Sequence, residues 1–152
     1  MAAIDFSLLG EHLARMMLAF ALALPLGWER GKGRHSAGFR TFPVVAMASC
    51  GYALIARKLP GADAETMTRL LQGLIAGIGF IGGGAILKTD DRVKGTATAA
   101  SILSTGILGA AVGFGRVEIA LLISLITLAT LWLLRPIERR LDRSGDDEPD
   151  PH

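Results

Sequence analysis

The sequence predicts an all-α polytopic membrane protein, a bundle of five transmembrane helices. The first observation is where the charges lie: 20% of the 152 residues are charged, yet five intervals of 13 to 21 residues contain no charge. Such intervals are apolar on all sides, whereas the helices of a soluble enzyme need a polar face. The second observation is that basic residues gather beside these intervals. In chain order the intervals are 16–28, 41–56, 70–87, 95–115 and 119–134.

One membrane span is assigned to each interval. A bilayer core of about 30 Å needs about 20 helical residues, so flanking basic side chains must extend toward the interface. Span 1 therefore begins near Leu8 and contains Arg15, whose spacing from Glu11 favours an ion pair within the helix. Pro43 suits the first turn of span 2. The predicted spans, 8–28, 42–56, 70–87, 96–114 and 117–134, form one domain over residues 1–134.

The basic residues also predict the orientation of the bundle. Eleven Lys and Arg residues fall in the 1–2 loop, the 3–4 loop and the tail, and five fall on the other side. Because Lys and Arg are enriched in cytoplasmic loops, we expect the N-terminus outside and the C-terminus in the cytoplasm. Residues 135–152 are first basic and then acidic, and they form a tail too polar to fold.

Glycines in spans 3 and 4 predict close helix packing. Residues 77–82 match the dinucleotide-binding pattern GxGxxG, but this segment lies inside an apolar interval and no acid follows about 20 residues later. Small residues spaced by four lie on one helix face and let backbones approach. A local break at residues 82–84 that lines a polar cavity is the alternative. The packing glycines are Gly73, Gly77, Gly79, Gly83, Gly109 and Gly113.

Polar residues at the span ends are the candidate functional residues. Arg15 either extends to the outer interface beside Glu11 or faces the bundle interior as a functional charge. At the inner end of spans 1 and 2, basic side chains either anchor the interface or pair with Glu29, a carboxylate that is costly near hydrocarbon when it has no partner. The candidate set is Arg15, Glu29, Arg30, Arg40 and Thr41.

Catalytic and metal sites are weakly supported. Asp90 and Asp91 are weak candidates for a divalent cation, because Mg²⁺ usually takes one or two carboxylates plus water, but adjacent acids among basic residues favour a solvated turn. The histidines are scattered, and no nucleophile has a base beside it. We therefore predict no enzyme activity and no cofactor. The basic residues flank apolar runs rather than form a groove, which argues against nucleic acid as a partner.

Four blocks in order carry a family resemblance: Pro25-Leu-Gly-Trp-Glu-Arg30, Ala37-Gly-Phe-Arg-Thr41, residues 77–84, and Val93-Lys-Gly-Thr-Ala-Thr-Ala-Ala100. Over about residues 15–134 the sequence resembles the membrane domain of the MgtC/SapB family. The resemblance implies a bacterial inner-membrane protein with five spans. It also implies a link to growth at low magnesium, to virulence and to stress adaptation, in the role of a regulator.

The resemblance also covers the candidate polar residues, since the family's recurring polar positions match all five. The chain is similar to the short SapB- or YhiD-like members, because an acidic tail stands where other members carry a folded cytoplasmic domain. Two departures are Leu103, where a tryptophan is common, and Thr96-Ala97-Thr98 in place of Leu-Thr-Thr.

Two functions are therefore expected. The first is a non-catalytic regulator that acts in the lipid bilayer through self-association or through contacts with another integral membrane protein. The alternative is a small ion or solute transporter or channel that acts as an oligomer. The glycine run in span 3 supports it, because transporters often contain interrupted helices.

Overall fold

The computed structural model describes residues 5–31, 38–61, 63–89 and 92–134. Over these residues the chain forms five α-helices and one antiparallel two-stranded hairpin. The prediction of an all-helical fold with five helices is confirmed, and the hairpin is an addition that the sequence did not predict. The helices are α1 (Phe6–Gly31), α2 (Thr41–Ala56), α3 (Ala64–Gly83), α4 (Thr96–Gly113) and α5 (Val117–Leu133), and strands β1 (Leu87–Thr89) and β2 (Arg92–Lys94) connect α3 to α4.

Helix α4 lies at the centre of the bundle and contacts each of the other four helices. Its buried face consists largely of small and hydroxyl side chains. The hydroxyl of Ser101 donates to the carbonyl of Ala97 at 2.6 Å, and that of Thr105 donates to the carbonyl of Ser101 at 2.8 Å. Because their own helix accepts these hydrogen bonds, the hydroxyls can be buried without an unsatisfied donor.

The tightest helix contact joins the backbones of α2 and α4. A Cβ atom placed on Gly109 would lie 2.8 Å from the carbonyl carbon of Ala46 and closer still to its oxygen. A Cβ atom on Gly113 would lie 2.6 Å from the carbonyl oxygen of Cys50. These two glycines, both assigned to packing from the sequence, thus lie where no side chain fits. They allow α2 and α4 to approach to backbone contact.

Helix α3 differs in position from the predicted span 70–87. It begins at Ala64, because Asp63 caps its N-terminus by accepting a hydrogen bond from the backbone N–H of Thr66 at 2.8 Å. Glu65 and Arg69 then pair one turn apart. The predicted span was drawn from a charge-free interval and therefore left out this polar first turn, although the charges of the turn support the helix. At the other end the glycine run stops the helix at Gly83, and the chain continues into the hairpin.

Two turns depend on glycine. Gly95, between β2 and α4, has φ of +90°, and a Cβ atom there would collide with the carbonyl oxygen of Ala85. Gly115, with φ of +80°, ends α4: its N–H donates to Val112 and the N–H of Arg116 donates to Ala111. This pair of hydrogen bonds is the Schellman motif, which satisfies carbonyls at the end of a helix and reverses the chain.

The outer surface of the bundle is strongly apolar. Only Ala120 and Ser124 of α5 are buried, while Leu125 and Ile126 are more than 60% exposed. Helices α1 and α4 are long and apolar enough to cross a membrane, and α2 and α5 are apolar but shorter, at 16 and 17 residues. Outward apolar faces of this kind are typical of helices that face lipid. That all five helices cross the membrane stays a prediction.

The α2–α4 contact predicts that Gly109→Ala destabilises the protein by about 1–3 kcal/mol, since the new methyl group forces two backbones apart. The matched control is Gly77→Ala on α3, where nothing lies within 4 Å of the added Cβ. That control should change the free energy of unfolding by less than about 1 kcal/mol. Denaturant unfolding in detergent, followed by circular dichroism, measures both. Equal effects of the two substitutions would contradict the contact.

Candidate functional site

The five polar residues proposed from the sequence do not form one site. Arg15 and Glu29 lie on the same helix, and their separation in sequence corresponds to about 21 Å along the axis at 1.5 Å per residue. Glu29 and Arg30 lie at the end of α1 that faces the start of α2, where Arg40 and Thr41 are found. Arg15 lies toward the opposite end of the bundle. The structure therefore separates Arg15 from the other four.

The described residues at the end of α1 and just before α2 lie close together. The rings of Trp28 and Phe39 meet edge to face with centroids 5.8 Å apart. A Cβ atom on Gly27 would lie 3.2 Å from the carbonyl oxygen of Phe39. Thr41, the first residue of α2, donates its backbone N–H to Gly38 at 3.0 Å. The four candidate residues here thus lie where the end of α1 meets the start of α2.

The side chains of these candidate residues differ in exposure. Glu29 and Arg30 are half-buried, whereas Arg40 is exposed. Their predicted pairing with one another stays a prediction. The neighbouring residues 32–37 lie outside the described part of the chain, as do the weak metal candidates Asp90 and Asp91 and the tail 135–152. Within the described ranges, no group of three His, Cys, Asp or Glu side chains is placed to hold a metal ion.

At the opposite end, two arginines converge on the C-terminus of α4. Arg15 pairs with Glu11 through Nη2 at 2.8 Å and Nε at 3.1 Å, which confirms the predicted intrahelical ion pair. Arg57, directly after α2, donates from Nη1 to the carbonyl oxygen of Gly113 at 3.1 Å. The Nη1 atoms of Arg15 and Arg57 lie 3.4 Å and 3.8 Å from the point that a Cβ atom added to Gly115 would occupy. The negative end of the α4 dipole favours cations at this place.

A cavity of about 330 Å³ opens beside these arginines, and we call it the basic pocket. An apolar groove of about 480 Å³ adjoins it between α1 and α2. The two share His12, Leu54 and Lys58. The basic pocket is lined by Leu8, Glu11, His12, Leu54, Arg57 and Lys58, and the groove by His12, Met16, Gly51, Leu54, Ile55, Lys58 and Leu59.

Positive charge is in excess at the basic pocket. Its one carboxylate, Glu11, is already neutralised by Arg15. The nearby carboxylate of Asp5 caps α1, and hydrogen bonds from Ser7 and from the backbone N–H of Leu8 hold the pKa of Asp5 below its usual value.

Two cations at the basic pocket, Arg57 and Lys58, are not directly paired with a carboxylate of the described chain, although the charge of Lys58 acts on Asp5 and helps to lower the pKa of that carboxyl. Among the described residues, Arg57 and Lys58 form no ion pair. A divalent cation, which needs several oxygen ligands, is therefore disfavoured here.

Sequence reasoning counted Arg57 and Lys58 only as loop charges and did not find the basic pocket. A usable signal was present, because two cations directly follow span 2 on the side where Arg15 was expected. What the sequence could not supply was the position of the α4 C-terminus, which is far away along the chain.

Comparisons with known proteins found one matching family and several bacterial relatives. A model of the MgtC family matches residues 16–140. Protein SrpB of Synechococcus elongatus is 34% identical over 137 residues, which cover 82% of this chain and 75% of SrpB. The protein named "Putative magnesium transporter YhiD" in Escherichia coli K12 is 30% identical, with 86% of this chain and 64% of YhiD covered. Protein MgtC of Brucella abortus is 31% identical, with 82% of this chain but only 51% of that protein covered. No solved structure is significantly similar.

The hydrogen bond from Arg57 to Gly113 predicts that Arg57→Gln destabilises the bundle by about 1 kcal/mol, because it removes a charge-assisted hydrogen bond to a helix end. Arg69→Gln is the matched control, since the Arg69 side chain is 75% exposed in an i,i+4 pair that contributes about 0.5 kcal/mol or less. Unfolding in detergent at low and high salt measures both. If the two variants unfold alike, the contact to Gly113 is not stabilising.

Proposed function

The chain belongs to the MgtC family, and we propose that it is a multi-pass protein of the bacterial inner membrane that regulates another membrane protein through helix contacts, without catalysis. Its apolar outer surface supports a position in lipid. The distribution of Lys and Arg supports an outside N-terminus and a cytoplasmic C-terminus.

The outward face of α3 is the observation that carries this proposal. Only Ile78 and Gly82 of this helix are buried. Cβ atoms on Gly77, Gly79 and Gly83 would meet nothing within 4 Å, and one on Gly73 would only approach the hydroxyl of Tyr52 at 3.9 Å. These four glycines were assigned to packing, and among the described residues only Gly73 comes near another helix, at Tyr52 of α2. Small residues on a lipid-facing surface lose dispersion contacts unless a second helix approaches them.

An exposed aromatic side chain completes this face. Phe80 is 86% exposed, the highest value among the large apolar residues described. Its helical neighbours at i−4, i−3 and i+3 are Ala76, Gly77 and Gly83. A large side chain beside a row of small ones offers a ridge and a groove on the same surface, which suits packing by a second helix. That helix comes from a second copy of this chain or from another integral membrane protein.

The physiological setting of the proposal comes from the relatives. The name of YhiD associates that protein with magnesium transport, and we extend the magnesium theme, but not the transport, to this chain. We place the regulation in adaptation to low magnesium or related stress. Because only 51% of Brucella MgtC is covered, whatever role the rest of that protein has is not transferred.

Transport by an oligomer is the second candidate function. The name of YhiD favours it, and so does the end of α3, where the glycine run Gly82–Gly84 ends the helix before a hairpin and leaves non-helical backbone. Several copies that met through α3 would bring these segments together around a shared axis.

The helix-contact proposal predicts that a photoreactive amino acid at position 80 forms one covalent adduct of defined mass in membranes. The adduct should weaken at least about fivefold when Gly77→Leu is introduced, because the leucine fills the groove beside Phe80. A probe at position 125 of α5, where Leu125 is 62% exposed to the same surroundings, is the matched control. Adduct mass separates a dimer from a different partner. Equal labelling at both positions would contradict a specific α3 contact.

The two candidate functions make opposite predictions for flux. A regulator reconstituted into liposomes should pass Mg²⁺ no faster than protein-free liposomes, as measured with an enclosed Mg²⁺-sensitive dye. A saturable influx that depends on protein, and that is abolished by Gly77→Leu, would instead support the transporter and end the regulator proposal.

A further inference from the structure

We propose that the basic pocket and the adjoining groove bind one anionic phospholipid, with its phosphate against Lys58 and Arg57 and one acyl chain along the groove. This site lies at the end of the bundle opposite the four candidate residues of the α1–α2 turn, and it is separate from the outward face of α3. It therefore does not depend on the regulator proposal.

The charge of the basic pocket identifies the headgroup. Arg57 has five N–H donors and uses Nη1 for Gly113, so its guanidinium retains donors for a phosphate oxygen. Lys58 brings three donors at the opening shared by the pocket and the groove. Arg and Lys are the side chains that bind phosphate groups most effectively. The three cations here outnumber the carboxylates of Glu11 and Asp5, so positive charge remains for a phosphate.

The shape of the groove identifies the remainder of the ligand. Met16, Gly51 and Ile55 line an apolar surface that runs from the pocket between α1 and α2. Gly51 leaves this space open, because a Cβ atom there would already lie 3.6 Å from the terminal methyl of Met16. The volumes of about 480 and 330 Å³ both fall within the range of about 300–1,000 Å³ for ligand pockets.

The joining of the two spaces distinguishes a lipid from other ligands. A free phosphate needs only the basic pocket, and it would leave the apolar groove unused. A zwitterionic lipid fits the groove but brings its own cation toward Lys58 and Arg57, which costs free energy by like-charge repulsion. A ligand with an uncompensated phosphate and a hydrocarbon chain matches both spaces at once.

Native mass spectrometry of the purified full-length chain tests the assignment, with phosphatidylglycerol and phosphatidylcholine of identical acyl chains as probes. The wild-type chain should retain phosphatidylglycerol in preference. Lys58→Gln should lower retention of phosphatidylglycerol about tenfold, the effect of one charge-assisted hydrogen bond. Lys58→Arg keeps the charge and should preserve retention. Gly51→Leu fills the groove, so it should lower retention although every charge remains.

Two matched controls separate the site from general effects. Arg69→Gln removes an exposed cation outside the pocket, and Gly10→Leu adds the same side chain where nothing lies within 4 Å of the Cβ position. Both should retain phosphatidylglycerol as the wild type does. Circular dichroism checks that every variant is folded, and Gly51→Leu, which leaves Lys58 in place, tests the site independently if Lys58→Gln is not.

Three results would overturn the proposal. Equal retention of the two lipids by the wild type would remove the role of the headgroup charge. Loss of retention in Arg69→Gln as large as in Lys58→Gln would show a diffuse electrostatic effect. Displacement of the lipid by millimolar inorganic phosphate, together with full retention in Gly51→Leu, would assign the pocket to free phosphate instead.

Discussion

The backbone contact between α2 and α4 is the constraint on which the rest of the structure depends. Gly109 lies against the backbone of Ala46 and Gly113 against that of Cys50, with no room for a side chain at either glycine. With these two helices in contact, α4 also contacts α1, α3 and α5. In lipid, where apolar burial gives little driving force, such close packing is a main source of helix association.

The same contact also builds the basic pocket. Because Gly113 is held against α2, the end of α4 comes within reach of Arg57, and the turn at Gly115 comes within reach of Arg15. The negative end of the α4 dipole then offsets part of the repulsion between two guanidinium groups. A structural interaction in the middle of the bundle thus sets the position of charges at its end.

The sequence predicted the number of helices and the positions of four of them closely, because apolar intervals and their flanking charges are local signals. It placed α3 too late, since the cap at Asp63 and the pair of Glu65 with Arg69 are polar features of a helix start. It also gave all six packing glycines one role. Equal spacing cannot tell Gly109, which meets a backbone, from Gly77, which meets nothing. The basic pocket was missed for the same reason, since its residues are brought together only by the fold.

This division of the glycines has a consequence for how the protein works. Gly109 and Gly113 of α4 are packed against α2 in the interior, so a substitution there disturbs folding and function together. Gly77, Gly79 and Gly83 on the outward face of α3 border no other part of the described chain, and this helix contributes little to the core beyond Ile78 and Gly82. A partner could therefore bind or leave α3 while the α2–α4 contact stays intact. Under the helix-contact proposal, stability and partner contact are carried by different helices that use the same residue type, and this separation allows each to be altered by mutation without the other.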